Sequence, residues 1–137
     1  MYIGTSNGAI RWDGNSASAL SRGGSWNLQP AQFFDFAIDA SVSGGSVYAG
    51  TNIGVCKYSV ATLAIDDCVN AQDGMPNWGV SAVGFNGSTI FGGTTNGVGL
   101  IDKSSLNVYD TWEAGEDTDN ALVEVIGNIA YIGLNGI

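Results

Sequence analysis

Four short segments of this chain share one pattern, an aromatic residue followed two positions later by glycine, and their spacing constrains the fold. The aromatic residues lie 46, 43 and 40 positions apart. Aromatic and β-branched residues fit a pleated sheet, so each segment is predicted to be a β-strand. A period of about 40–45 residues is typical of the four-stranded blades of a β-propeller. The four segments are Tyr2–Thr5, Tyr48–Thr51, Phe91–Thr94 and Tyr131–Leu134.

Two series of turn signals keep step with these strands. A glycine turn follows each of the four segments, at Asn7-Gly8, Ile53-Gly54, Asn96-Gly97 and Asn135-Gly136. A second turn precedes three of them, at Gly44-Gly45, Asn86-Gly87 and Gly127-Asn128. Asn-Gly favours a type I′ hairpin turn, and this is the turn type that we predict at Asn86-Gly87.

The most complete unit lies between residues 71 and 112. Its apolar runs predict strands A, B, C and D at Val80–Phe85, Thr89–Gly93, Val98–Asp102 and Leu106–Trp112, joined by tight turns into an antiparallel sheet. The chain is therefore predicted to be an all-β propeller segment of about three four-stranded blades. Its predicted units are a partial blade at 1–28, complete blades at 29–70 and 71–112, and a partial blade at 113–137.

The number of predicted blades implies a partner. Propellers close with about 4–8 blades, and closure leaves no long sheet edge exposed to aggregation. About three blades are too few to close, so we expect other protein chains or further blades to complete the ring. The chain could be a segment of a larger propeller, or several copies could assemble.

The stretch from Gly74 to Ser105, GMPNWGVSAVGFNGSTIFGGTTNGVGLIDKSS, resembles the repeat of the two-component-regulator (sensor) propellers. In that family a Gly-Leu-Pro loop precedes strand A, and a Gly-Thr-x-x-Gly turn joins strands B and C. The resemblance is close over 71–112, moderate over 29–70, and limited to the turn elsewhere. It implies the propeller fold. Similar blades occur in sensors, secreted binding proteins, lyases and virion proteins.

Composition excludes several function classes. The chain has 4 basic and 13 acidic residues, a net charge of −9 and no histidine. Such a chain repels phosphate backbones and anionic membranes, so we do not expect nucleic-acid binding. No apolar run approaches 18 residues, so we do not expect insertion into a membrane. Residues 1–5 carry no signal-peptide pattern. The scarcity of lysine and arginine and the abundance of glycine favour an extracellular or particle-surface location.

Cys56 and Cys68 fall on strands C and D of the same predicted sheet. They could face each other across the hairpin as a disulfide, which would stabilise the fold by roughly 3 kcal/mol. The alternative is two buried thiols in a reducing compartment.

The acidic run at 113–120 invites a calcium hypothesis through Asp117 and Asp119. An EF-hand loop starting at Asp117 would need glycine at position 122 and a carboxylate at 128, where this chain has Leu122 and Asn128. A solvated connection between blades is the favoured interpretation, and no cofactor is expected.

Tryptophan and asparagine side chains recur at one predicted end of the blades. Trp residues fall near D–A connections, Asn residues fall in B–C turns, and both loop sets lie on the same face of an up-and-down propeller. Rings stack and amides both donate and accept hydrogen bonds, so this face could bind a glycan or a peptide. Wedging between blades and turn geometry are the alternative roles. The candidates are Trp26, Trp78, Trp112, Asn7, Asn52, Asn96 and Asn135.

Catalytic patterns have little support. The sequence holds no Ser-His-Asp set, no Gly-x-Ser-x-Gly and no phosphate loop. We therefore expect a non-catalytic scaffold for protein or glycan binding, in an extracellular or virion-like assembly. A ligand-sensing propeller is the second hypothesis, and blades of a propeller lyase or hydrolase are the third.

Overall fold

The computed structural model describes residues 1–20, 30–41, 44–113 and 121–133. In these ranges the chain is all-β, with one short 3₁₀ turn at Ala71–Asp73. The strands are β1 Tyr2–Thr5, β2 Gly8–Trp12, β3 Ala17–Ala19, β4 Phe33–Asp39, β5 Ser46–Thr51, β6 Gly54–Ser59, β7 Ile65–Val69, β8 Val80–Asn86, β9 Thr89–Thr94, β10 Gly97–Asp102, β11 Val108–Glu113, β12 Leu122–Ile126 and β13 Ile129–Gly133.

Consecutive strands pair antiparallel and form four sheets. The first sheet has the order β1-β2-β3, the second β4-β5-β6-β7, the third β8-β9-β10-β11 and the fourth β12-β13. The prediction of an all-β chain with four-stranded antiparallel sheets is therefore confirmed. Strand β11 extends to Glu113, one residue beyond the predicted boundary at 112.

The sequence pattern predicts that the last strands of the two four-stranded sheets begin at about Leu63 and at Leu106, but both begin later. Leu63 and Leu106 have φ values of 57° and 56°, a left-handed conformation that interrupts an extended run. Each of these residues donates its backbone N–H back across the turn, to Ser59 and Asp102 respectively. Strands β7 and β11 consequently start at Ile65 and Val108.

The predicted type I′ turn at Asn86-Gly87 is wrong. Asn86 pairs with Thr89 as a strand residue, so Gly87 and Ser88 form the two-residue connection. None of these residues has a positive φ, which a type I′ turn requires at both central positions. The side-chain amide of Asn86 donates instead to the backbone oxygen of Asn128, in the turn between β12 and β13, at 3.3 Å.

The glycine turns after β1, β5 and β9 share one set of hydrogen bonds. In each turn, a threonine hydroxyl donates to the carbonyl oxygen of the glycine three residues later, at 2.9 Å. The same hydroxyl accepts a hydrogen bond from the backbone N–H of the residue that precedes the glycine. The glycines have φ values of 129° to 132°, which L-residues rarely adopt. The three turns are Thr5–Gly8, Thr51–Gly54 and Thr94–Gly97.

The sheets stack face to face with an apolar layer between each adjacent pair. The first layer contains Phe33 and Tyr58, the second Val83 and Ile90, and the third Phe91. Edge strands β4, β8 and β12 lie next to one another. Asp35 on β4 accepts a 2.9 Å hydrogen bond from the Val83 amide on β8. An edge amide of β8 is thus satisfied by the neighbouring sheet.

One glycine in each of three sheets allows this close stacking. A Cβ atom at Gly4, Gly50 or Gly93 would lie only 2.6 to 2.8 Å from a backbone carbonyl oxygen of the next sheet. These are the glycines of the aromatic–glycine pattern seen in the sequence. Their lack of a side chain sets the distance between sheets.

Among the described residues, no helix is long and apolar enough to cross a membrane. The 3₁₀ turn, which sequence analysis did not predict, begins at a capping box in which Asn70 and Asp73 bind each other's backbone amides.

Candidate functional site

The predicted ligand face is only partly assembled. Asn77 donates to Thr95 at 2.7 Å, which ties the connection holding half-buried Trp78 to the turn holding exposed Asn96. Asn52 has a structural role, because its side-chain oxygen accepts the amides of Ala31 and Gln32 at 3.0 and 2.9 Å. Asn7 lies in the exposed turn after β1.

Trp112 is the penultimate residue of β11, at the same end of the third sheet as the Asn96-Gly97 turn, because Gly97 pairs with Glu113. It pairs with Val98, and its ring centroid is 6.4 Å from that of Phe91. Other candidates lie outside the described residues, namely Trp26, Asn135, Asp117 and Asp119. In the described part of the chain, no three acidic or cysteine side chains are grouped to hold a metal ion.

Cys56 and Cys68 form a disulfide in the structure. They are directly opposite each other on β6 and β7, and both side chains are buried in the layer between the first and second sheets. The bridge therefore fixes the last strand of the second sheet to its neighbour.

The outer face of the fourth sheet is exposed and largely apolar, with Glu124 opposite Tyr131 as its charged residue. In the first three sheets, the aromatic residue of the aromatic–glycine pattern packs toward the next sheet. Tyr2 contacts Phe36 at 5.7 Å between ring centroids, Tyr48 contacts Phe85 at 5.6 Å, and Phe91 lies in the third layer. The corresponding residue of the fourth sheet, Tyr131, is 55% exposed, whereas Tyr48 is 1% exposed.

Other residues of the same sheet share this exposure. Leu122, Ile126 and Ile129 are 71%, 64% and 59% exposed. Gly133, the glycine of the fourth aromatic–glycine pattern, has no atom of another sheet near the position of its missing Cβ. In the other three sheets, the residues at these positions pack against the next sheet. The fourth sheet has residues of the same kind on this side, but no further sheet in the described part of the chain covers them. We call Leu122, Ile126, Ile129 and Tyr131 the outer face of the fourth sheet.

The first sheet also exposes apolar residues on the side opposite to its packed face. Met1, Ile3 and Trp12 are 70%, 39% and 38% exposed. Ile3 pairs with Ile10 across the strands, and both line a shallow groove of about 300 Å³. We call Met1, Ile3, Ile10 and Trp12 the outer face of the first sheet.

A larger groove of about 660 Å³ lies between the second and third sheets, at the end opposite to the predicted ligand face. The groove is lined by charged and hydroxyl-bearing residues of both sheets. The second sheet contributes Ser46, Lys57, Ser59 and Asp66, and the third sheet contributes Ser88, Asp102, Lys103 and Ser104. We call this the inter-sheet groove. Its volume lies within the range of about 300–1,000 Å³ that is usual for small-molecule pockets.

Lys103, which lines the inter-sheet groove, forms an ion pair with the buried carboxylate of Asp39. Lys103 Nζ lies 2.6 Å from Asp39 Oδ2 and 4.9 Å from the centroid of the Phe85 ring. Burial opposes ionisation of Asp39, but the hydrogen bonds from Lys103 and Ser41 outweigh it and lower the pKa of Asp39 to about 2. Burial, reinforced by the charge of Asp39, raises the pKa of Tyr48 to about 12 despite a hydrogen bond with Ser46.

Lys57 is the second cation of this groove, and a comparison between sheets shows that it is unpaired. The residues opposite Tyr2, Tyr48 and Phe91 on the neighbouring strands are Arg11, Lys57 and Leu100. Arg11 donates to the carbonyl of Val60 in the next sheet at 2.7 Å. Lys57 makes no such bond, and the only ion pair among the described residues is Lys103–Asp39.

Sequence reasoning missed this groove because its parts are distant in the chain. Asp39 and Lys103 are 64 positions apart. The signal that the sequence does offer is the scarcity of basic residues. The whole chain has only 4 basic residues, and two of them line one groove.

No protein-family model, curated protein or solved structure matches this chain.

Proposed function

We propose that this chain is a β-propeller segment that serves as a non-catalytic scaffold and binds protein through the outer faces of its first and fourth sheets. The observation that carries the proposal is the exposure of Tyr131, whose counterparts Tyr48 and Phe91 are 1% and 5% exposed beneath the next sheet. Exposed apolar patches of this kind mark interaction sites on soluble proteins. The sheet stacking and the resemblance to the sensor propeller repeat both support a propeller.

The partner that best fits the outer face of the fourth sheet is the first sheet of a second copy. The first sheet already packs against a neighbour on one side, and its outer face offers Met1, Ile3 and Trp12 on the other. A contact between two different faces is heterologous, so it generates a ring if the rotation closes and a filament if it does not. Assembly is then the proposed function, in an extracellular or virion-like setting. The Cys56–Cys68 disulfide supports an oxidising compartment.

Sedimentation velocity over a range of concentrations tests this proposal. We expect the 14.1 kDa chain to form oligomers with increasing concentration, and the double variant Ile129→Thr/Tyr131→Thr to shift toward the monomer. Threonine keeps the preference for strand while removing apolar area. The matched control is Tyr109→Thr, since Tyr109 is 57% exposed on β11 and belongs to neither outer face. A wild-type chain that stays monomeric at all concentrations would contradict the proposal.

A ligand-sensing propeller is the second candidate, and the inter-sheet groove favours it. Stabilisation of the fold by a small ligand would support this alternative.

A further inference from the structure

We infer that Gly133 is the close-contact position between two copies of the chain, where a backbone carbonyl group of the second copy's first sheet packs against the outer face of the fourth sheet. This inference rests on the self-association proposed above and names the residue that gives the contact its register. The three sheet interfaces within the chain supply the geometry.

Each interface between neighbouring sheets has one glycine in contact with a backbone carbonyl oxygen. The carbonyl group belongs to the first residue of the next sheet's first strand or to the residue before it. A side chain at the glycine would overlap with this oxygen, so the contact requires glycine. The pairs, with the distance from the position of the missing Cβ atom to the oxygen, are Gly4 and Phe33 at 2.6 Å, Gly50 and Val80 at 2.7 Å, and Gly93 and Ala121 at 2.8 Å.

Gly133 holds the equivalent place in the fourth sheet, where the described residues provide no such carbonyl group. Among those residues, only side-chain atoms of Leu122, its pairing partner in the same sheet, lie within 4 Å of the position of its missing Cβ, at 3.6 and 4.0 Å. These are ordinary van der Waals distances, so the fold leaves room for a side chain. Glycine weakens a strand and often marks the place where another backbone approaches closely. A second chain is therefore the source of the backbone that Gly133 admits.

The residues next to Gly133 indicate which kind of surface covers it. Tyr131-Ile132-Gly133 repeats the triplet Tyr2-Ile3-Gly4. The second sheet covers the first triplet, with the Phe33 oxygen against its glycine and the Phe36 ring centroid 5.7 Å from that of its tyrosine. A sheet of the same kind therefore fits the second triplet.

The first sheet of a second copy is the cover to which we assign this contact. Among the described sheets, it is the one other sheet with an uncovered face, on which Met1 and Ile3 are 70% and 39% exposed. Strand β1 is the first strand and an edge strand of its sheet, as β4 is of the second sheet. The backbone near the start of β1 is therefore the part of the second copy that we expect against Gly133.

Sedimentation velocity of Gly133→Val tests this contact. Valine favours a strand and adds apolar area, so a non-specific apolar contact would be strengthened. A contact that requires a carbonyl group against Gly133 would instead be overpacked, and we expect the dissociation constant of self-association to rise about tenfold or more. The urea midpoint of the monomer should not fall, since the fold leaves room for the side chain. Gly79→Val is the matched control, because nothing lies within 4 Å of its Cβ position and it belongs to neither outer face.

Mixing two variants identifies the partner surface. Ile3→Glu places a carboxylate on the outer face of the first sheet, and Glu124 on the outer face of the fourth sheet would repel it. At a concentration at which the wild type associates, we expect each variant alone to be mainly monomeric. An equimolar mixture should form a heterodimer and nothing larger, because the Gly133→Val copy keeps an intact first sheet and the Ile3→Glu copy keeps an intact fourth sheet.

The possible outcomes separate this inference from the proposed function. A wild type that does not associate would overturn both. A wild type that associates while Gly133→Val associates equally well, or has a lower urea midpoint, would overturn the role of Gly133 and leave the proposed function standing. A mixture of the two folded variants that stays monomeric would overturn the assignment to the first sheet of a second copy.

Discussion

The ammonium of Lys103 lies 2.6 Å from the carboxylate of Asp39, and this ion pair joins the third sheet to the second. Asp39 is 2% exposed, so removal of its cationic partner leaves a buried carboxylate that keeps only its hydrogen bonds from Ser41. We expect Lys103→Met to lower the free energy of unfolding by about 3 kcal/mol, as is usual when one member of a buried pair is removed. Lys57→Met is the matched control in the same groove, with an expected change of about 0.5 kcal/mol or less. Urea unfolding measures the change in free energy for both variants. Equal changes would contradict the conclusion that Lys103 compensates the buried charge of Asp39.

Acid should destabilise the fold through the same carboxylate. The folded-state pKa of Asp39 is about 2, below its ordinary value of 3.8, so the unfolded chain binds more protons. This contribution to stability is complete above about pH 4 and is lost as the pH falls toward about 2. We expect the urea midpoint to fall across that window, and to fall less steeply in Asp39→Asn. A urea midpoint that rises on acidification would contradict the predicted loss of stability.

The pKa values of two further carboxylates, exposed Asp13 and half-buried Asp102, shift in the same direction. Hydrogen bonds from Ser16 and Asn15 lower the pKa of Asp13 to about 2, and those from Ser104 and Ser105 lower the pKa of Asp102 to about 2. They explain why some acid dependence should persist in Asp39→Asn.

Gly93 controls the approach of the fourth sheet to the third. A Cβ atom there would lie 2.8 Å from the backbone oxygen of Ala121, and backbone cannot easily move away. We expect Gly93→Ala to cost about 1–3 kcal/mol, which is typical of overpacking. Gly79→Ala is the control, since nothing lies within 4 Å of its Cβ position. Thermal unfolding compares the two, and a neutral Gly93→Ala would show that the sheets can separate freely.

The hydroxyl of Thr94 should matter more than that of Thr5, although both make the same two hydrogen bonds. Thr94 is fully buried, so the groups that it leaves unpaired have no access to water, whereas Thr5 is exposed. We expect Thr94→Val to cost about 2 kcal/mol and Thr5→Val about 0.5 kcal/mol. Denaturant unfolding of the two variants checks the difference. Equal costs would mean that burial does not decide the contribution of this turn.

The disulfide between Cys56 and Cys68 closes a short loop, with a sequence separation of 12. We expect the double variant Cys56→Ser/Cys68→Ser to lose about 3 kcal/mol, chiefly because the unfolded chain is no longer constrained. Reductant should destabilise the wild type and leave the double variant unchanged. If reductant has no effect on the wild type, the two thiols are free in the native protein.

The sequence by itself determined the strands, because strand-forming residues and glycine turns act locally. The aromatic–glycine pattern located β1, β5, β9 and β13, and Gly8, Gly54 and Gly97 ended the turns that follow the first three. Local pattern failed at Leu63 and Leu106, since nothing in their neighbours demands a left-handed backbone. It also ended the last strand of the third sheet at Trp112, whereas pairing of Glu113 with Gly97 extends β11 by one residue.

Only the tertiary structure decided which residues meet between sheets. The Lys103–Asp39 pair and the inter-sheet groove join residues from separate hairpins, and no local spacing encodes such a contact. The same holds for Tyr131, because its sequence pattern equals that of Tyr48 and only the presence or absence of a neighbouring sheet makes one buried and the other exposed. Strand formation depends on neighbours along the chain, whereas the candidate sites depend on how whole sheets stack.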